Sequence, residues 1–385
     1  MTWPQVTVNQ LNLQQGEINE TERTLLFTGA SEKGAGTLFF VNALTDLTEK
    51  VSPGPLLNDL RAAQLNGGQN WQAWVSPLEE VADWADTVRA AQASVSVEGV
   101  VLSDDISDKA TITQAAALRA EITAKHGRWC WFILATSGLL TETQIPLWKV
   151  AEDNVAAEKW VEYVVRLTSL QAGANAYAVQ LVPRIAGFEP GMLAGRLCNR
   201  SVTIADSPAR VKTGPLLMPD AVDWPVDADG VRLELSTLQA LELSRYSVPM
   251  TYADYDGIFW SDGRTLDAEG GDYQSIENVR IADKAARRVR LMAIAKIADR
   301  SLNSTPASIA ANESYFARPL REMSRSMQIN GVMFPGEVKP PQEGDIKIMW
   351  ETRKKVVVGM IVRPYEVPLQ IVVNIALDTT LEASA

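Results

Sequence analysis

The chain has 385 residues, 46% of them apolar and 22% charged, the balance of a globular protein with two or three domains or one core with insertions. Against 36 Lys and Arg stand 47 Asp and Glu, a net charge of −11 and the wrong sign for a protein whose main partner is nucleic acid. One histidine, His126, and two distant cysteines, Cys130 and Cys198, leave almost no material for a zinc centre, a Ser-His-Asp device or a disulfide framework, and fit a reducing compartment.

The opening "MTWPQVTVNQ" lacks the basic and apolar regions of a secretion signal, and no apolar run reaches the ~18 residues needed to span a bilayer. Neither export by a leader nor membrane insertion is expected. Val6 and Val8 alternate with polar residues and are followed by Leu11, so residues 1–22 read as an extended arm ahead of the first core strand, "TLLFTGA". The "SEKGAGT" that follows has the glycines of a phosphate loop. Ala35 stands where that loop needs lysine, so nothing there would hold a terminal phosphate.

Strand and helix then alternate. Helix "PLLNDLRAAQLN" leads to strand "WQAWVSPL", helix "EEVADWADTVRAAQA" to strand "SVEGVVLSD", and helix "KATITQAAALRAEITAKH" to strand "RWCWFILAT". A helix across "NVAAEKWVEYVVRLTSLQ" precedes strand "AYAVQLVP". Apolar strands separated by amphipathic helices predict right-handed β-α-β units and a largely parallel sheet, the α/β class. No strand runs into G-x-G-x-x-G at a helix start, so no dinucleotide cofactor is expected. Fold class alone still admits an α/β, Rossmann-like enzyme or small-molecule binding protein as the alternative.

Residues 200–235 are mixed, hold the Pro/Asp-rich loop "PDAVDWPVDADG" and mark a possible subdomain boundary within a core of 23–345. The stretch 257–280, "GIFWSDGRTLDAEGGDYQSIENVR", gathers Asp262, Asp267, Glu269 and Asp272 around a Gly270-Gly271 turn. These acids need no metal. Asp272 or Ser275 is placed to cap the following helix, Arg264 to pair with one of the acids, and no apolar pocket signature marks a catalytic pair.

From Ile276 onward the pattern is helical. Ala282, Ala285, Ala286, Val289, Met292 and Ala293 share one face, and Arg280, Lys284, Arg287, Arg288 and Arg290 the other. Beyond the last helix, 346–385 turns β-rich: "DIKIMWE", a basic turn "TRKK", then "VVVGMIV" with Val356 and Val358, and "PLQIVVNIALD" with Ile371 and Val373. Such strands at a chain end are open edges unless something pairs with them, which suggests exchange between copies.

Four pieces in this order resemble the sheath proteins of contractile phage tails and related injection devices. They are "LLFTGASEKGAG" with "LLNDLRAAQLNGGQNWQAWVSPL", then "GMLAGRLCNRSVTIADSPARV", then "FWSDGRTLDAEGGDYQSIENVRIADKAARRVR", and last the C-terminal β arm. The chain is short for that family and "SDG" separates Trp260 from Arg264, so it is similar to a compact branch. The resemblance implies an α/β core with extended β-strand arms at both termini and no enzymatic activity, catalytic residue, metal or cofactor. It implies self-association as six-fold rings stacked helically around a tail tube protein, with baseplate and tail terminator proteins as further partners and no nucleic acid or membrane partner. Assembly in the host cytoplasm, a place in the virion tail and contraction through a cell envelope follow from it. So does a tube-facing role for the basic stripe Arg280, Lys284, Arg287 and Arg288. The arm strands around Val6, Val8, Leu11, Val356, Val358, Ile371 and Val373 would join neighbouring subunits.

Overall fold

The computed structural model describes residues 21–140, 158–185, 187–218 and 224–375. Its centre is a six-stranded sheet in the order β2-β3-β1-β4-β5-β6. The strands are β1 (Leu25–Ala30), β2 (Phe39–Asn42), β3 (Gln72–Leu78), β4 (Gly99–Ile106), β5 (Trp131–Thr136) and β6 (Val179–Pro183). All pairings are parallel except that of the edge strand β2 with β3. The parallel strands are rich in apolar residues on both sides because both sheet faces are covered, and Leu25, Phe27, Val101, Phe132 and Leu181 are all fully buried.

The covering helices are α1 (Leu47–Lys50), α2 (Pro55–Gly67), α3 (Trp84–Ser94), α4 (Lys109–His126), α5 (Trp160–Gln171) and α6 (Pro190–Cys198). Local chemistry sets their ends. Asp108 caps α4 by accepting from the Thr111 N–H, and Gly127 ends it at φ 60°. Helix α6, the "GMLAG" piece of the sequence, lies directly against α2. A Cβ on Gly191 would stand 1.9 Å from the Asp59 carbonyl oxygen, and one on Gly195 would stand 2.5 Å from that of Ala63. Only glycine lets these two backbones touch.

The second half adds α7 (Leu235–Leu243), the hairpin β7 (Pro249–Tyr252) with β8 (Tyr255–Trp260), and the 19-residue α8 (Ile276–Ile294). After it come α9 (Pro306–Phe316), α10 (Arg318–Met323), and two further hairpins. These are β9 (Met327–Ile329) with β10 (Val332–Phe334), and β11 (Ile346–Thr352) with β12 (Lys355–Met360).

The described residues form two hydrophobic clusters, and α8 belongs to both. Ile276 and Val279 complete the core around the large sheet. Ile281 and Ala285 join Phe316, Leu320, Ile346 and Ile348 in a smaller one, against which Val289, Met292 and Ala293 also pack. The α/β core expected from the sequence is present, and its C-terminal lobe is tied to it along one helix.

Candidate functional site

In an open α/β sheet, ligands bind beyond the carboxyl ends of the strands, where the winding direction switches. Here that crevice is filled by the protein's own ions. Arg184, at the end of β6, is fully buried and reaches Asp59 at 3.0 Å, Asp105 at 3.2 Å and the Glu189 carboxylate, and donates to the Ser103 carbonyl at 2.7 Å. Burial and the neighbouring acids push the Glu189 carboxyl up to about 7, against the pull of Arg184. Asp104 accepts from the Ala30 N–H at 2.8 Å. The glycine loop after β1 is committed as well: the Ser31 and Gly36 N–H groups donate to the Leu78 and Pro77 carbonyls, and Lys33 Nζ to the Thr48 carbonyl. Among the described residues no group of three His, Cys, Asp or Glu side chains is arranged to hold a metal ion, and no helix is long and apolar enough to cross a membrane.

The basic stripe of α8 is where the structure departs most from the sequence reading. Arg280 is 2% exposed and forms a two-pronged ion pair with Glu98, at 2.6 and 2.9 Å, while also donating to the Leu197 carbonyl. Burial raises the Glu98 carboxyl and Arg280 more than offsets this, so it sits below the ordinary glutamate range. Lys284 pairs with Glu337 at 2.6 Å, and Arg287 with Glu22 at 2.9 Å. Across from them Asp283, within the same helix, receives Arg119 of α4 at 2.6 Å, both side chains buried. Arg280, Lys284 and Arg287 are thus turned inward, in correction of the expected exposed face. The physical reason is that α8 is packed on both sides, so its charged face meets the first lobe instead of water. Only Arg288 of the four makes no ion pair with a described residue.

The acids before α8 also find other roles. Asp267 closes its own loop by accepting from the Ala268 and Tyr273 N–H groups. Arg264 faces Glu242 at 3.4 Å, not one of the four clustered acids. Ser275 occupies the N-cap position without a side-chain cap bond. Asp262 and Glu277 are buried near each other: burial, then the charge of Asp262, raises Glu277 to about 8, and burial raises Asp262 to about 6. Oε2 of Glu277 has no hydrogen-bond partner among the described residues. Sequence reading missed this pair, although a glutamate one residue inside an apolar helix start was the available signal.

At the C-terminus, Val356 and Val358 of β12 pair with Trp350 and Ile348 of β11 in the same chain, in a two-stranded sheet. The chain then runs along the lobe, where Ile361 N–H donates to the Asp345 carbonyl and Lys339 N–H to that of Arg363. From 361 to 375 it forms no strand, and Ile371, Val372 and Val373 are 73–76% exposed. Val6, Val8 and Leu11 lie outside the described residues.

An α/β core whose ligand crevice is closed by its own ions, joined to a lobe that carries an exposed apolar run with no strand partner among the described residues, has the build of a self-assembling structural subunit. Solved structures share the fold. A chain of the contracted baseplate of the anti-feeding prophage matches at a TM-score of 0.55 and 15% identity, covering 98% of this chain and 99% of that one. A sheath tail protein of Listeria innocua matches at 0.53 and 10%, covering 89% and 92%. One of Desulfitobacterium hafniense matches at 0.51 and 8%, covering 94% and 96%. In sequence, the N-terminal domain of DUF2586 matches residues 3–264 and its C-terminal domain residues 272–380. A protein described as a tail sheath protein, from Haemophilus phage HP1 (strain HP1c1), is 46% identical over 381 residues, 98% of each chain. The chain belongs to this DUF2586 family of phage tail sheath proteins and is a structural subunit of a contractile tail sheath.

Proposed function

We propose that copies of this chain polymerise as stacked rings, six subunits to a ring, around an inner tail tube, and contract to drive that tube through a cell envelope. The subunits are made and assembled in the host cytoplasm, meet baseplate proteins at one end and a terminator at the other, and perform no enzymatic reaction. Residues 1–22 and 361–385 act as arms that link copies around a core of 23–360, in which Ile346 and Ile348 of β11 pack into the smaller hydrophobic cluster. One observation carries this reading: beyond Arg363 the chain carries Val367, Leu369, Ile371, Val372, Val373 and Ile375 exposed to water, with no strand partner among the described residues. Such an edge is a template for pairing with another copy. Val356 and Val358 would contribute the open edge of β12, and Ile371 and Val373 the exchanged strand. The tube-facing role falls to Arg288 and to Arg290, the one cation beyond it on α8.

Electron microscopy of the full chain, alone and with its tube protein, tests this. Striated hollow cylinders are expected, and a chain ending at residue 360 should remain folded and form none. Discrete particles from the full chain in both samples would overturn the proposal.

A further inference from the structure

A cavity of about 810 Å³ lies among the β7–β8 hairpin, the loop after α6 and the first turns of α8, and the chain's own residues 365–371 form part of its wall. The run reaches it from a firm anchorage on the C-terminal lobe. There the Ile361 N–H donates to the Asp345 carbonyl at 2.9 Å, the Lys339 N–H donates to that of Arg363 at 2.8 Å, and Arg363 pairs with Asp345. One more hold follows. Glu366 pairs with Lys339, whose Nζ also stands 5.9 Å from the centre of the Tyr365 ring.

Past Glu366 the attachment changes in kind. No backbone group from 364 to 371 bonds to another described backbone group. Val367 and Leu369 border the cavity together with Met250 and Tyr252, yet Val367 stays 39% exposed, Leu369 57% and Tyr252 41%. The run borders this cleft without filling it, so it forfeits much of the dispersion that close packing would give. A strand of another copy would offer what the cleft does not: a ladder of hydrogen bonds for the backbone and cover for the same side chains. The Lys339–Glu366 pair lies at the surface, where solvent and salt weaken it.

We propose that residues 364–371 are a strap: in the free subunit they lie against this cleft, and they peel from it before the run pairs with a neighbouring copy. Lys339 and Glu366 are the catch. Strapped subunits stay apart, because the apolar run is withheld from other copies until an open strand edge competes for it. This rests on residues 361–385 serving as an assembly arm, and adds the closed state in which that arm waits.

The test uses the full chain, first dilute and unassembled, then as finished cylinders. Tyr252→Cys combined with Leu369→Cys, treated with a disulfide-containing bis-maleimide long enough to cross the cavity, should link within one free chain at a yield independent of protein concentration; the native thiols Cys130 and Cys198 are buried. The linked chain should form no cylinders and recover them when reductant cuts the linker. Finished cylinders given the same reagent should show at least about fivefold less of the intramolecular link, since assembly selects the peeled state. Glu366→Lys, which sets like charges at the catch, should lower the protein concentration at which cylinders appear at least about threefold, because apparent affinity scales with the unstrapped fraction. Equal link yields in free and assembled chains would overturn the proposal, as would cylinders built from linked chains. An unchanged assembly concentration for Glu366→Lys would overturn it too. Loss of cylinders on truncation at residue 360 reads the arm itself, so failure of the strap and failure of the arm are told apart.

Discussion

Arg280→Met isolates the joint between the two lobes. The substitution keeps the length and most of the volume of the side chain but removes the cation that forms the ion pair with Glu98, which is 0% exposed. Among the described residues, what remains for that carboxylate is the Arg23 N–H at 2.5 Å and the more distant charge of Arg287. Breaking a buried pair by removing one partner costs about 3–5 kcal/mol, since it strands a charge in low dielectric, and the lost bond to the Leu197 carbonyl adds to it. At ~1.4 kcal/mol per decade this is a loss of two to four orders of magnitude in the folding equilibrium. Urea unfolding followed by tryptophan fluorescence reads it directly, and Glu98→Gln with Arg280→Met should recover more than half of the loss. The pH response provides a second reading. The folded Glu98 carboxyl lies below its unfolded value, so the pair contributes stability above the ordinary glutamate range of about 4.3 and loses it as pH falls through the folded value. The double variant should therefore lose less stability in acid than the native chain. A cost under about 1 kcal/mol for Arg280→Met would refute the reasoning, because that is the worth of a solvated surface pair.

The Asp262–Glu277 pair has the opposite sign. Glu277 is raised to about 8, so stability is full below its unfolded value near 4.3 and falls as pH rises toward 8. Glu277→Gln should raise the urea midpoint at pH 8 and flatten its slope between pH 5 and 8; an unchanged slope would place the titration elsewhere. On the surface, Arg288→Glu should leave the melting temperature within about 2 °C and weaken assembly around the tube at low salt more than at high salt. Equal assembly at both ionic strengths would remove Arg288 from the tube contact.

Much of the core was legible because each parallel strand carried its own signal. "TLLFTGA", "EGVVL" and "WFILAT" each hold a run of consecutive apolar residues, separated by helices with clear starts such as Asp108 and clear stops such as Gly127. The antiparallel β2 was not legible: "FFVN" is four residues long, and its place follows from pairing with Val75 and Trp74, which no local pattern encodes. Helix α8 was found, but its environment was misread. An i, i+4, i+7 row of Arg280, Lys284 and Arg287 has the same spacing whether it meets water or a second lobe. The distinguishing residues, Glu98 and Glu337, lie 182 and 53 positions away in sequence. The one hint was Glu98 itself, an acid set immediately before the apolar start "GVVL" of β4.

Helix α8 also decides how the subunit handles torque. It is a single rod of 19 residues, with its first turns in one lobe's core and its later turns in the other's. Its ion pairs to Glu98, Arg119 and Glu22 reach sideways from the rod and resist its rolling in place. A twist applied to the C-terminal lobe is then delivered to the sheet with little slack. Work done in shortening a tail would be stored and released where copies meet, at the chain ends, and each subunit would behave as a stiff crank instead of a spring.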